Sequence, residues 1–328
     1  MVRPAVTEIV AIDIGGTHAR FALAEVANGR VLGLGEACTL RTAEHASLEA
    51  AWEAFGASAG RPLPNAAAIA AAGPVEGDSL KLTNNPWVIR PSLIPGTLGA
   101  ERHTLVNDFG AVAHAVAQLG DEHFTHLCGP DRPLPAEGVI SVVGPGTGLG
   151  VAQLLRRGGG YQVVETEGGH IDFAPLDPIE DRILLELRRR HRRVSVERVA
   201  SGPGLANLYE ALAAIEGRDL ACRDEKALWK AAMTGEDSLA AAAFDRFCLS
   251  LGAVAGDIAL AQGAGAVAIA GGLGLRLAGR LPGSGFRDRF VAKGRFERRM
   301  DEIPVRIVTY AQPGLFGAAA AFAAEHGK

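Results

Sequence analysis

Two glycine-threonine turns, each set between apolar strand-like segments, constrain the fold of this chain more than any other feature. The first turn, Gly15-Gly16-Thr17, lies between residues 9–12 and 19–24, and the second, in residues 144–150, is flanked in the same way. Glycine lets main-chain N–H groups approach phosphate oxygens, and the threonine hydroxyl adds a rotatable donor. The repeat predicts a duplicated phosphate-binding fold whose two loops hold one nucleotide.

The size and charge of the chain favour a two-domain protein with a small soluble ligand. At 328 residues and 48% hydrophobic content, the chain is longer than one ordinary domain and can bury a large core. The formal net charge of −4 gives no general electrostatic reason to bind nucleic acid or an anionic membrane.

The cysteines and apolar stretches predict a cytoplasmic protein with free thiols. Four scattered cysteines form no CxxC pair and no zinc-type spacing: Cys38, Cys128, Cys222 and Cys248. The first apolar run is interrupted by Asp13 and is too short for a secretory signal. Asp257 and Gln262 interrupt the stretch 252–275, which therefore predicts a buried helix and strand instead of a membrane span.

Periodicity predicts helices and strands that alternate along the chain, beginning in the order β, β, α, β. The expected helices cover residues 47–57, 109–116, 178–187 and 244–262, and the later strands cover 66–71, 103–106 and 266–270. Asn107-Asp108 and Gly271-Gly272 each follow a strand at its carboxyl end, where ligands collect in open α/β sheets. Asp108 also suits the first turn of the next helix for dipole reasons alone.

The sequence patterns of the P-loop and of dinucleotide-binding sites do not match this chain. No glycine loop is followed by Lys and then Ser or Thr, and Leu149 occupies the sixth position of the dinucleotide pattern that starts at Gly144. Asp13, which leads into the first turn, would repel phosphate unless a divalent cation intervened. We therefore expect magnesium, reached from Asp13 through a water molecule, with no direct metal ligand.

A polar cluster at residues 167–173 has two interpretations. Glu167, His170 and Asp172 could hold zinc, although no cysteine or second histidine lies nearby. The same groups make directional hydrogen bonds to sugar hydroxyls. The arginine-rich run 188–193 is expected to be the solvated end of a helix, since no aromatic residue interleaves it as in a nucleic-acid patch.

Taken in order, these motifs resemble those of the bacterial glucokinase family, within the superfamily of hexokinases, actin and the 70-kilodalton heat-shock chaperones. The matching stretches are residues 13–20, 107–109, 144–150, 167–175, 197–204, 270–272 and 313–317. Residues 171–178 contain no cysteine, which argues against the related zinc-containing repressor branch.

The resemblance implies a role for each matching residue. Asp108 resembles the catalytic base. The implied glucose ligands are Asn107, Asp108, Glu167, His170 and Glu197. The implied nucleotide-binding residues are Asp13, Gly15, Gly16, Thr17, Thr147, Gly148, Gly271 and Gly272, the last two beside the adenosine.

The resemblance also implies an α/β fold of the two-domain actin-like ATPase (ribonuclease H-like) type with an interdomain cleft. Residues 1–118 plus 308–328 form the small domain and 119–307 the larger one. The implied activity is ATP-dependent phosphorylation of D-glucose at its 6-hydroxyl, the entry step of glycolysis, by a cytoplasmic homodimer using Mg²⁺. A kinase for another hexose and a non-sugar actin-like ATPase stay open as alternatives.

Overall fold

A computed structural model describes residues 5–73, 75–76, 78–82, 85, 87–221 and 224–327 of the chain. The strands are β1 (Thr7–Ile14), β2 (His18–Ala27), β3 (Arg30–Leu34), β4 (Cys38–Arg41), β5 (Ala66–Ala71), β6 (Val75–Glu76), β7 (Ser79–Lys81), β8 (Val88–Ile89), β9 (Arg102–Asn107), β10 (Phe124–Cys128), β11 (Gly138–Pro145), β12 (Leu149–Arg157), β13 (Gly160–Thr166), β14 (Ala266–Ile269) and β15 (Val305–Val308). The α-helices are α1 (Leu48–Ala59), α2 (Ile94–Leu98), α3 (Asp108–Gln118), α4 (Pro178–Arg188), α5 (Gly202–Glu216), α6 (Glu225–Thr234), α7 (Ser238–Gln262), α8 (Gly271–Arg276), α9 (Phe286–Val291), α10 (Glu297–Asp301) and α11 (Pro313–His326).

The chain divides into two units, which we call unit 1 and unit 2. Unit 1 comprises Met1–Leu119 with Tyr310–Lys328, and unit 2 comprises Gly120–Thr309. The main sheet of unit 1 has the strand order β3-β2-β1-β5-β9, with β4 also paired to β2, and that of unit 2 has the order β10-β15-β14-β11-β12-β13.

Both sheets contain the same five-strand arrangement. In unit 1, β1 pairs antiparallel with β2 and parallel with β5. In unit 2, β11 pairs antiparallel with β12 and parallel with β14. The duplicated fold predicted from the two glycine-threonine turns is confirmed at the level of strand order.

The predicted β, β, α, β start is incomplete, because β3 and β4 intervene between β2 and α1. Both are short, and about half of their residues or more are exposed. Edge strands of this kind bury too little apolar surface to produce a strong sequence signal.

Strand β5 explains how alanine can build a sheet core. All six residues are fully buried. Because side chains alternate between the two faces of a strand, Ala66, Ala68 and Ala70 pack with α11 on one face. Ala67 and Ile69 pack with α1 on the other.

Helix α7 is the central helix of the unit 2 core. Within the described part of the chain it is the one helix long and apolar enough to cross a bilayer, yet 67% of its most apolar window is buried. The strand β14 follows it, as the stretch 252–275 predicted. The helix is therefore part of a protein core.

Helices α3 and α11 of unit 1 approach unusually closely. A Cβ atom built on Gly317 of α11 would lie 1.7 Å from the carbonyl oxygen of Ala111 in α3. The absence of a side chain at Gly317 therefore sets the distance between the two helices.

Gly317→Ala should lower the free energy of unfolding by about 1–3 kcal/mol, since the added methyl group must push two packed backbones apart. Urea unfolding followed by circular dichroism measures the change. Gly96→Ala is the matched control, because Gly96 also lies in a helix of unit 1 and an added Cβ would meet nothing within 4 Å. Alanine in a helix is favoured over glycine by roughly 0.5–1 kcal/mol, so this control should be neutral or stabilising. Equal stability of the two variants would contradict the packing argument.

Candidate active site

The first glycine-threonine turn is fixed by a hydrogen bond across the hairpin and by two hydrogen bonds from Thr42. Gly15 N–H donates to the carbonyl oxygen of His18 at 2.9 Å, which closes the β1–β2 turn. The buried Thr42 donates twice, from its hydroxyl to the Gly16 carbonyl (3.0 Å) and from its N–H to the Thr17 carbonyl (3.1 Å). The side chain of Thr17 itself is exposed to solvent.

Asn85 supplies a third anchor for this turn. Its side-chain Nδ2 donates to the Gly15 carbonyl at 3.3 Å, and its Oδ1 accepts from Trp87 N–H at 2.9 Å. The polar segment 82–87 therefore supports the turn through Asn85, while Thr83, Asn84 and Pro86 lie outside the described residues. The carbonyl oxygens of Gly15, Gly16 and Thr17 are thus all held by other protein groups.

Asp13 lies one residue before the end of β1, directly opposite Arg20 on β2. The Arg20 guanidinium donates to its carboxylate at 3.3 Å, and the Asp13 side chain is 19% exposed. Burial raises the pKa of Asp13, and the charge of Arg20 acts against that shift. A Cβ on Gly314, in the first turn of α11, would lie 3.0 Å from the Asp13 carboxyl group, so glycine is needed there.

Asn107 and Asp108 lie at the junction of β9 and α3. The Asn107 side chain is the N-cap of α3 and accepts from the N–H groups of Phe109 (2.9 Å) and Gly110 (3.2 Å). Asp108 is therefore the first residue of the helix, as its sequence position predicted, and not the cap. Its Oδ1 accepts from Phe109 N–H at 2.8 Å.

The second glycine-threonine turn closes the β11–β12 hairpin in unit 2. Gly144 pairs with Gly150 across the hairpin, and Gly146 N–H donates to the Gly148 carbonyl at 2.8 Å. The side chain of Thr147 at the tip is exposed. A strand follows this turn, as predicted, and not the helix of a dinucleotide site.

Glu197 lies in a single 3₁₀ turn, Val196–Arg198, and contacts this hairpin directly. Its Oε2 accepts from Leu149 N–H at 3.0 Å. Four residues after this turn the chain reaches Gly202, whose N–H donates to the Gly146 carbonyl at 2.7 Å. The segment 197–202 thus holds both sides of the glycine-threonine turn.

Glu167 and His170 lie at another 3₁₀ turn, Gly168–His170, that packs on the start of β12. A Cβ on Gly169 would lie 2.0 Å from the Leu149 carbonyl oxygen. The two side chains are exposed, with His170 Nε2 3.9 Å from Glu167 Oε2. An isolated β-bridge between Asp172 and Ser195 joins this turn to the one that carries Glu197.

Gly271 and Gly272 begin the short helix α8 directly after β14. The prediction placed them in a turn, and the structure shows that the turn is also the first residues of a helix. Gly271 has φ of +83°, and a Cβ there would lie 3.1 Å from the Pro145 carbonyl oxygen. Glycine is therefore required where α8 passes the second glycine-threonine turn.

The predicted residues divide between the two units. Unit 1 carries Asp13, Gly15, Gly16, Thr17, Asn107 and Asp108. Unit 2 carries Thr147, Gly148, Glu167, His170, Glu197, Gly271 and Gly272. Each unit therefore holds one glycine-threonine turn and part of the polar set.

The zinc interpretation of the 167–173 cluster is not supported by the contacts of its members. Asp172 accepts from Arg193 Nε at 2.6 Å and is thus engaged in an ion pair. Among the described residues, no group of three or more His, Cys, Asp or Glu side chains is arranged to hold a metal ion.

The arginine-rich run 188–193 was predicted to be a helix end, but α4 ends at Arg188 and the rest of the run lies after the helix. Neighbouring carboxylates neutralise part of its charge. Asp177 caps the start of the helix by accepting from the N–H groups of Ile179 and Glu180, as predicted. The ion pairs of the run are Arg189–Glu186, Arg190–Glu210 and Arg193–Asp172. These contacts agree with a solvated helix end.

Sequence reasoning missed the groups that support the turns. Arg20 could have been found, because a hairpin around Gly15-Gly16-Thr17 places it opposite Asp13. Thr42 and Asn85 carry no such signal, since each reaches its turn by a tertiary contact that periodicity does not encode.

Comparison with known proteins gives a consistent family. The family model described as Glucokinase matches residues 10–325. The chain is 67% identical to a glucokinase of Zymomonas mobilis over 316 residues, which cover 96% of this chain and 98% of that protein. Among solved structures, the glucokinase of an Antarctic psychrotroph aligns with a TM-score of 0.84 at 35% identity, covering 96% of this chain and 98% of that one. The glucokinase of Balamuthia mandrillaris, solved in complex with glucose, shares the fold with a TM-score of 0.78 at 23% identity, over 98% and 94% of the respective chains.

Asp13→Asn should make the protein more stable than wild type at pH 7. Burial raises the pKa of Asp13 in the folded state, so the ionised carboxylate lowers the stability of the fold. The stability that protonated Asp13 contributes is fully present below the unfolded pKa and is lost as the pH rises through the folded pKa. The difference between variant and wild type should therefore vanish in acid. Urea unfolding across a pH series measures it.

Asp78→Asn is a control of opposite sign in the same unit. Hydrogen bonds from the Ser92 hydroxyl and N–H lower the pKa of Asp78. The stability that ionised Asp78 contributes is therefore present above the unfolded pKa and lost as the pH falls through the folded pKa. This variant should be less stable than wild type at pH 7. An Asp13→Asn protein that is also less stable at pH 7 would show that Arg20 outweighs burial.

Proposed function

Because the chain belongs to the glucokinase family, we propose that it transfers the γ-phosphoryl group of ATP to the 6-hydroxyl of D-glucose, giving glucose 6-phosphate and ADP. The observation that carries this proposal is the match to the Zymomonas mobilis glucokinase, which is 67% identical over nearly the full length of both chains. The reaction is the entry step of glycolysis.

The proposal extends to the fold class and the domains. Units 1 and 2 serve as the small and large domains of an actin-like ATPase fold of the ribonuclease H-like type. The strand order β3-β2-β1-β5-β9, repeated in unit 2 as β13-β12-β11-β14-β15, supports this assignment.

The two glycine-threonine turns bind the phosphates of ATP in this proposal. Thr42 and Asn85 bind the carbonyl groups of the first turn, and Glu197 and Gly202 bind the two sides of the second. The tips therefore need little rearrangement to present N–H groups and the threonine hydroxyls. Gly271 and Gly272 adjoin the second turn through Pro145 and form the adenosine side of the site.

Magnesium fits these residues as a companion of the ATP phosphates. Mg²⁺ in nucleotide sites is typically held by one or two carboxylates, phosphate oxygens and water. Asp13 supplies one carboxylate beside the first turn, and no cluster of three candidate ligands occurs among the described residues. When bound, the ion neutralises charge on the transferring phosphoryl group. Asp13 would hold the ion through a water molecule, and Arg20 offsets part of the Asp13 charge.

Asp108 acts as the general base. Its carboxylate accepts the proton of the 6-hydroxyl as that oxygen attacks the γ-phosphorus in line with the leaving ADP oxygen. The transition state of phosphoryl transfer is loose, so a correctly placed weak base is sufficient. The Asn107 cap fixes the first turn of α3 and with it the position of the Asp108 backbone.

The remaining polar residues hold the sugar. Glu167, His170 and Glu197 lie on two adjoining turns of unit 2, and Asn107 and Asp108 complete the set from unit 1. Carboxylates accept hydrogen bonds from sugar hydroxyls, while the imidazole can donate or accept. A sugar that lacks one of these hydroxyls would leave the protein group that binds it without a hydrogen bond, which is how such sites discriminate between sugars.

Asp108→Asn should lower kcat by roughly 10²–10⁴, because the amide cannot accept the proton. A coupled assay of glucose 6-phosphate formation measures kcat and KM. Glu167→Gln is the control: as a sugar ligand on an exposed turn, it should mainly raise the KM for glucose. Near-normal turnover of Asp108→Asn would refute the assignment of the base.

We also propose that the protein is a cytoplasmic homodimer. Free thiols suit a reducing compartment, and Cys38, Cys128 and Cys248 are free, while Cys222 lies outside the described residues. Light scattering of the purified protein should give twice the chain mass of 34.1 kDa. A mass of one chain at micromolar concentration would contradict the dimer.

A further inference from the structure

We infer that Glu197 positions the second glycine-threonine turn for the nucleotide, in addition to binding the sugar. This inference rests on the proposed function and names a second task for one of its residues. The task is visible in the bond from Leu149 N–H to Glu197 Oε2.

The bond matters because of where Leu149 lies. It is the first residue of β12 and pairs with Pro145 at the turn end of the hairpin. Proline has no N–H to donate, so this end of the hairpin lacks one of the bonds that an antiparallel ladder provides. A carboxylate 48 positions along the chain adds a different bond at this end, because it accepts from the Leu149 N–H.

The turn is held at two points by one short segment. Glu197 binds Leu149 on the exit side, and Gly202 N–H binds the Gly146 carbonyl on the entry side. Gly202 is fixed in turn, since Trp229 Nε1 donates to its carbonyl oxygen at 3.2 Å. Thr147 and Gly148, the residues between these two points, form the tip that faces the phosphates in the proposed site.

The position of the carboxylate also explains the glycine at 148. A Cβ on Gly148 would lie 2.4 Å from Glu197 Oε2, so the carboxylate occupies the space that a side chain would take. Any larger residue there would have to move either the turn or Glu197.

One carboxylate can serve both ligands. A carboxylate offers about four acceptor positions, so Glu197 can accept from Leu149 N–H and from a sugar hydroxyl at the same time. Glu197 is half-buried, which leaves part of the group accessible. The group that orients the sugar is then also the group that fixes the turn beside the phosphates.

The test is calorimetric titration of ADP with Mg²⁺ into the full-length protein without sugar. Glu197→Ala should weaken ADP binding by about tenfold or more, as expected for loss of a hydrogen bond to a charged group. Glu197→Gln keeps an acceptor oxygen for Leu149 and should bind ADP nearly as wild type does. Both variants should bind glucose more weakly.

Glu167→Gln is the matched control. It removes a charge from the proposed sugar set at a side chain that is 81% exposed, so glucose binding should weaken while ADP binding stays at the wild-type value. Gly148→Ala is the second probe of the same contact. Its methyl group must displace either the carboxylate or the turn, and ADP binding should weaken although Glu197 is present.

The outcomes separate this inference from the proposed function. Wild-type ADP affinity in both Glu197→Ala and Gly148→Ala, each with a native circular dichroism spectrum, would overturn the inference and leave the kinase proposal standing. If Glu197→Ala does not fold, Gly148→Ala decides alone. Failure of the wild-type protein to bind ADP or to phosphorylate glucose would instead overturn the proposed function.

Discussion

The contact of Gly169 with the Leu149 carbonyl is the constraint on which the proposed site residues of unit 2 depend. A Cβ at Gly169 would lie 2.0 Å from that oxygen, so the turn that carries Glu167 and His170 can rest on β12 only because the position is glycine. The N–H of the same leucine is held by Glu197. Leu149, at the start of β12, therefore helps to position Glu167, His170 and Glu197, together with the second glycine-threonine turn.

Unit 1 places its part of the site by a different route. Its proposed site residues lie at the ends of regular elements: Asp13 near the end of β1, and Asn107 and Asp108 between β9 and α3. These ends are level because β1, β5 and β9 run parallel in one sheet. Small alanines on β5 let α11 lie close to the sheet, and Gly314 lets the start of α11 approach the Asp13 carboxylate.

Much of this arrangement could be predicted from the sequence because it is local. The strand at residues 66–71, the Asp177 cap and the two hairpin turns each follow from residues within about ten positions of one another. The order of the motifs along the chain identified the family. The short strands β3 and β4, the Thr42 and Asn85 anchors and the Leu149–Glu197 bond could not be predicted. They join segments that are distant in sequence, and pairing of that kind leaves no periodicity in either segment.

The return of α11 to unit 1 has a consequence for biosynthesis. Unit 2 is continuous in sequence and can fold as soon as its residues leave the ribosome. The alanine face of β5, by contrast, lacks the cover of α11 until residues 313–326 have been translated. Contacts between residues far apart in sequence form slowly, and an exposed apolar sheet face can associate with other chains. The unit whose translation begins first is therefore completed last.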